Sequence, residues 1–288
     1  MRSFAVLFAF CFSAAIAAKG QVSVELLLDQ QQFLRDESLP IRVRLTNRSG
    51  QPIKIGKETD WLSFTIEHRE GFVVPKVSDF TATGEFTLES SFAATRSADL
   101  MPYYDLIPGR YTLIATVKLK QWNQEFSSLG KTFEIVRGTK IWEQEFGVPT
   151  KEGLPEVRKY ILQQAQYQKH LTLYLRVTDS NERQVFRVVP VGQLISFSHP
   201  ETQIDGASQI HLLFQTGSHA FRYAVYSPSG DLVTRQTHEY ARTRPVLRAN
   251  EAGNIFVFGG TRRLAPDDFP ALSAVADNAS NGVAIPKP

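Results

Sequence analysis

TLYLRVTDSNERQVFRVVPVGQLISF (Thr172–Phe197) lies over IHLLFQTGSHAFRYAVYSPSGDLVTR (Ile210–Arg235) without a gap, at a constant offset of 38 residues. Leu175 meets Leu213, Thr178 meets Thr216, Ser180 meets Ser218, and Pro190, Gly192 and Leu194 meet Pro228, Gly230 and Leu232. Both copies are rich in branched and aromatic residues broken by polar turn residues, which predicts antiparallel strands. The shared P-x-G-x-L run predicts a tight hairpin turn in each copy. RPVLRANEAGNIFVFGG (Arg244–Gly260) reads as two further strands joined at Ala-Gly-Asn. Residues 171–264 are therefore expected to form an antiparallel β unit with an internal repeat.

Such hairpin repeats resemble the blades of a β-propeller, which run to roughly 40–45 residues each. The resemblance stops at single hairpins. The eight or so strands of this half would make two blades, and closed propellers have at least about four. SPSGDLVTR also lacks the first aspartate and the tryptophan of the sialidase Asp-box. The expectation is a compact antiparallel meander, a sandwich or an open barrel.

The first half, residues 19–137, alternates more plainly. IRVRLTN places Ile41, Val43 and Leu45 on one face; LSFTIE does the same with Leu62, Phe64 and Ile66, and YTLIATVKL with Tyr111, Leu113, Ala115 and Val117. NRSGQP and IPGR carry turn chemistry. DLIPGRYTL (Asp105–Leu113) resembles the tyrosine corner of immunoglobulin-like domains, with Tyr111 as the corner residue. ESLPIRVRLTNRSGQPI is similar to a bacterial immunoglobulin-like strand–turn–strand. The resemblance spans residues 22–137 and implies a β-sandwich; it carries no activity.

Between the halves, residues 138–170 read as a linker plus an amphipathic helix. Pro155 suits a first helical position, and Val157, Tyr160, Ile161 and Ala165 share a helical face. The tail, 265–288, is rich in Ala, Pro, Asn and Ser without periodicity and is expected to be disordered. Residues 1–18 read as a signal peptide: Arg2, an apolar run to Ile16, then small residues. That run is short of the roughly 20 residues that span a bilayer. A periplasmic or secreted bacterial protein is expected, not membrane-spanning once the leader is removed. Cys11, in the leader, is the only cysteine, so neither disulfides nor thiol chemistry follow.

Charge and motifs restrict the chemistry further. The net charge of +3 is small, and with an export signal nucleic acid is not an expected partner. From Leu171 to Leu264 every basic residue is arginine, suited to carboxylates but also to packing across sheets. HExxH, GxSxG, P-loop and dinucleotide motifs are missing from the sequence. Five of the six histidines lie between His170 and His238 without metal-ligand spacing; no metal site, cofactor or catalytic residue is expected. Asp179 with Glu182, and Asp231 with Glu239, are carboxylate pairs of the kind a glycoside hydrolase uses, placed at turns. Trp61, Tyr103 and Tyr104 are candidates for stacking on a sugar or anchoring a partner, and Arg242 and Arg244 for an anion-binding edge. The reading that follows is a mainly β protein that is exported and non-enzymatic. Its partner is expected to be another envelope or secreted protein, or a glycan. The alternative is a carbohydrate-active hydrolase or glycan-binding protein.

Overall fold

The computed structural model describes residues 21–68, 71–149, 153, 155–167, 170–195 and 198–270; the leader assigned to 1–18 and the tail beyond 270 lie outside the described residues. The chain is mainly β, with several sheets and no long helix among the described residues. In one sheet β3 (Pro40–Asn47) runs between β1 (Val22–Leu28) and β7 (Ala93–Asp99), antiparallel to both. The facing sheet orders β2 (Gln32–Leu34), β10 (Lys131–Val136), β8 (Gly109–Leu119) and β5 (Leu62–His68), with β9 (Gln124–Ser127) also on β8. β2 joins β10 in parallel, and its other neighbours pair antiparallel. β4 (Ile53–Ile55) and β6 (Phe86–Leu88) form a separate ribbon.

The alternation read from the sequence sets which side chains fill this sandwich. Ile41, Val43 and Leu45 meet Leu62, Phe64, Ile66, Leu113, Ala115 and Val117 in one core. Each large apolar side chain buried there contributes about 1.5–3 kcal/mol. Tyr111 stacks on Phe133 at 5.4 Å, and its hydroxyl donates to the Ile107 carbonyl at 2.6 Å, fastening the turn before β8. Asn47, which opens an Asn-Arg-Ser run of the N-glycosylation type, is fully buried and donates to the carbonyls of Gln51 and Leu88. It fastens a turn and is not available to a glycan.

The second half stacks three layers. β11 (Thr139–Val148), β12 (Glu156–Tyr167), β13 (His170–Asp179) and β14 (Val185–Leu194) form an antiparallel sheet in that order. β15 (Glu201–Ile204), β16 (Ile210–Gln215), β17 (Ala220–Tyr226), β18 (Leu232–Glu239) and β21 (Thr261–Arg263) form the next. Tyr160, Leu162, Leu173, Leu175 and Val177 of the first sheet pack on Ile210, Leu212, Phe214, Ala224 and Tyr226 of the second. The hairpin of β19 (Val246–Ala249) and β20 (Ile255–Phe258) covers part of the outer face through Leu247, Ile255 and Val257. The sheets do not close into a propeller.

Three expectations change here. The helix expected within 138–170 is strand β12. As an inner strand it is covered on both faces: Tyr160 and Leu162 enter one core, while Ala165 joins Leu34, Tyr174 and Val188 in another. Apolar residues then fall on consecutive positions, which erases the alternation and mimics a helical face. The hairpin turn expected at P-x-G-x-L in both stretches forms in one of them only. Pro228–Gly230 is a hairpin turn, closed by Ser227 N–H to the Asp231 carbonyl, whereas Pro190–Leu194 continues β14 across a register shift. Residues 265–270, at the head of the tail expected to be disordered, are held in place. The Asp268 carboxylate pairs with Arg262 at 2.7 Å, and Phe269 exchanges backbone hydrogen bonds with Arg235.

Candidate functional site

Where the halves meet, Leu34 of β2 inserts among Ala165, Tyr174 and Val188. Gln32 Nε2 donates to the Gln166 carbonyl, and Arg176 donates to both the Asp36 carboxylate and the Arg35 carbonyl at 2.8 Å. Beside this junction lies a cleft of about 610 Å³, lined by Asp36, Glu37, Ser38, Asp99, Met101, Pro102 and the unbroken run Val185–Pro190. Successive side chains of a strand point to opposite faces. Six consecutive residues therefore line one cavity only if the strand presents its edge to it. Among the described residues β14 has β13 as its one ladder partner and is an outer strand of its sheet, so the backbone polar groups on its other side have no ladder partner. Pro190, which has no N–H to give, stands in such an edge without loss.

The facing wall is acidic but internally satisfied. The Asp99 carboxylate accepts from Leu39 N–H, Met101 N–H and Ser38 Oγ. Glu37 is buried; it accepts from Leu34 N–H at 2.6 Å and from Gln30 Nε2. Burial raises the Glu37 carboxyl above its ordinary range, against the lowering effect of those two hydrogen bonds. A folded-state pKa above the unfolded one gives stability that is full at low pH and is lost as pH rises through the folded value. Glu37→Gln keeps an acceptor for Leu34 N–H and removes the buried charge. Its melting temperature relative to the parent chain is expected to rise between pH 4 and pH 7, which a thermal denaturation series measures. A pH-independent difference would show that burial of the charge costs nothing.

The residues singled out in the sequence are scattered. Trp61 and Tyr104 are buried, Tyr104 donating from its hydroxyl to the Phe64 carbonyl at 2.7 Å. Tyr103 is half-buried with its ring edge-on to Phe80. None of the three offers the flat exposed face that sugar stacking requires. Arg242 and Arg244 are exposed; Arg244 lies over the Phe221 ring and borders a small hollow with His219 and Tyr240. The paired carboxylates are engaged within the fold: Glu182 by Lys140 and Lys159, Asp231 by Arg187, Glu239 by Arg263, while Asp179 accepts from Gln184 N–H.

One hydrogen-bonded chain had no signature in the sequence. His211 Nδ1 and the Tyr223 hydroxyl are 2.7 Å apart, and His211 Nε2 is 3.2 Å from the Asp205 carboxylate. Burial pushes Tyr223 up to about 12, so its hydroxyl keeps its proton, and the direction of its bond to His211 follows the tautomer of the ring. Asp205 also accepts from the Ala207 and Gln209 N–H groups of the β15–β16 turn. The chain pins that turn to β17. The cleft, with residues from loops 36–38 and 99–102 and from β14, likewise has no sequence signal, because its walls lie far apart in the chain.

No protein-family model matches the sequence, and no curated protein matches it. Among solved structures the chain is similar to the crystal structure of Spo0M, a sporulation control protein from Bacillus subtilis. The likeness covers 60% of this chain and 91% of that one, with 9% identity and a TM-score of 0.29, and it fixes neither fold nor function.

Proposed function

We propose that this chain is an exported, non-enzymatic binding protein of the bacterial envelope or extracellular space, and that it takes an extended segment of a partner protein into the cleft between its halves. The observation that carries the reading is the edge of β14, bared along Val185–Pro190 on the wall of that cleft. An added strand there would satisfy the open backbone groups, and the pleat would send its alternate side chains to the two faces of the sheet, the usual division between affinity and selectivity in strand addition. The first half is proposed to be an immunoglobulin-like sandwich. Its β3–β7 and β10–β8–β5 neighbours follow that topology, and the Tyr111-to-Ile107 hydrogen bond is its tyrosine corner. Such a sandwich serves as a rigid support for the loops at 36–38 and 99–102.

Photo-crosslinking tests this. Benzoylphenylalanine is placed at Pro102 on the cleft wall or, as control, at Phe258 on the exposed hairpin, and the mature chain is irradiated in envelope extract. A discrete protein adduct at 102 and not at 258, joined through one peptide of the partner, is the expected result. Equal labelling from both positions, or none from 102, contradicts the proposal.

A further inference from the structure

A second cavity, independent of the cleft, lies in the N-terminal sandwich at the end of β5 and β8. It has about 400 Å³ and is lined by Lys54, Ile55, Gly56, Lys57, Glu58, Trp61, Glu85, Lys118, Lys120 and Gln121. Trp61 is 4% exposed, and its Nε1–H has no hydrogen-bond partner. A buried donor left unpaired costs about 1–3 kcal/mol, so an acceptor belongs opposite it. Among the described residues 21–137, no other buried side-chain donor is left in this state.

The lining says what that acceptor carries. Lys118 and Lys120 are tethered by Asp60 and Glu58 at 3.3–4.0 Å. Lys54 and Lys57, both exposed, have no carboxylate within 4.0 Å among the described residues. Of the two lining glutamates Glu58 is held by Lys120, while Glu85 is exposed and has no basic partner within 4.0 Å among the described residues. Positive charge therefore exceeds negative, and two ammonium groups are free to turn inward. The wall is preformed: Gly56, at φ +92°, sits so close to the chain that a Cβ there would lie 2.2 Å from the Gly84 carbonyl oxygen. We propose that this cavity binds an oxyanion (a phosphate, sulfate or carboxylate group), with Lys54 and Lys57 supplying charge-assisted hydrogen bonds and the Trp61 indole N–H closing the inner side.

The test uses the full mature chain labelled with 5-fluorotryptophan, with Trp122 and Trp142 as internal controls and the Trp61 resonance assigned by its loss in Trp61→Phe. Inorganic phosphate, sulfate and glucuronate are titrated at constant ionic strength against chloride. The Trp61 resonance is expected to shift saturably with at least one of them. Tightest response to phosphate or sulfate identifies an inorganic or ester-borne group, and tightest response to glucuronate an acidic sugar. Lys54→Gln/Lys57→Gln is expected to weaken binding about five- to tenfold, and Glu85→Gln to tighten it. These substitutions lie on exposed side chains, so the fold survives them. No saturable shift with any of the three anions, a response confined to Trp122 or Trp142, or lysine variants that bind as tightly as the parent would overturn the proposal. None of these outcomes bears on the cleft.

Discussion

Tyr160→Ala is expected to destabilise the C-terminal half by about 3–5 kcal/mol, among the largest losses of any single substitution in the chain. Tyr160 is fully buried, stacks on Phe146 at a centroid distance of 3.9 Å, and donates from its hydroxyl to the Ser208 carbonyl at 2.9 Å. It thus ties the β11–β14 sheet to the turn before β16. The ring contributes most of the effect, because its removal leaves a cavity between two sheets that cannot collapse. Tyr160→Phe keeps the ring and loses only the hydrogen bond, for about 0.5–1.5 kcal/mol. Urea denaturation of the two variants separates the terms. Equal losses would mean that the hydroxyl, not the packing, holds the sheets together.

Leu34→Ala is expected to cost about 2–5 kcal/mol and, more tellingly, to separate the unfolding of the two halves. Leu34 is 1% exposed and is the buried side chain that the first half contributes to the small core with Ala165, Tyr174 and Val188, with the partly buried Val136 packed beside it. The polar ties around it, from Gln32 to the Gln166 carbonyl and from Arg176 to Asp36, are partly open to water and contribute far less. Interfaces within a chain that rest on so few apolar contacts couple their units weakly once the central one is removed. The parent chain is expected to unfold in one transition and Leu34→Ala in two, followed by tryptophan fluorescence and circular dichroism together. A single transition in the variant would place the coupling elsewhere. Arg176→Ala, removing only the ion pair and its hydrogen bonds, should leave one transition.

The strands of the first half were legible because each has one covered face, so Ile41, Val43 and Leu45 alternate with Arg42, Arg44 and Thr46. The turn before β8 was legible for a similar reason: the Tyr111 hydroxyl closes it on the Ile107 carbonyl within five residues, 107 to 111. β12 was not, since Tyr160, Ile161 and Leu162 are all buried in succession between two covered faces. P-x-G-x-L has the composition of a turn, but β14 keeps Pro190 on an outer edge where no N–H is demanded, and pairing with β13 carries the strand through. Trp61 reads as a ligand platform from sequence, yet the sandwich takes its ring, edge-on to Phe86. What remains of its chemistry is the unpaired N–H, which only the packing reveals. The cleft brings residues 36–38 and 99–102 opposite 185–190, separations that no local pattern records.

Hydrogen–deuterium exchange along β14 tests the central claim most directly, with the partner segment identified by crosslinking added to the uncrosslinked chain. A strand added to that edge must take up its outward N–H groups. Slowed exchange confined to residues 185–190 and the facing loops, reversed when the segment is competed away, is the result that strand addition in the cleft predicts. Unchanged exchange in 185–190, with protection appearing on another surface, would contradict it.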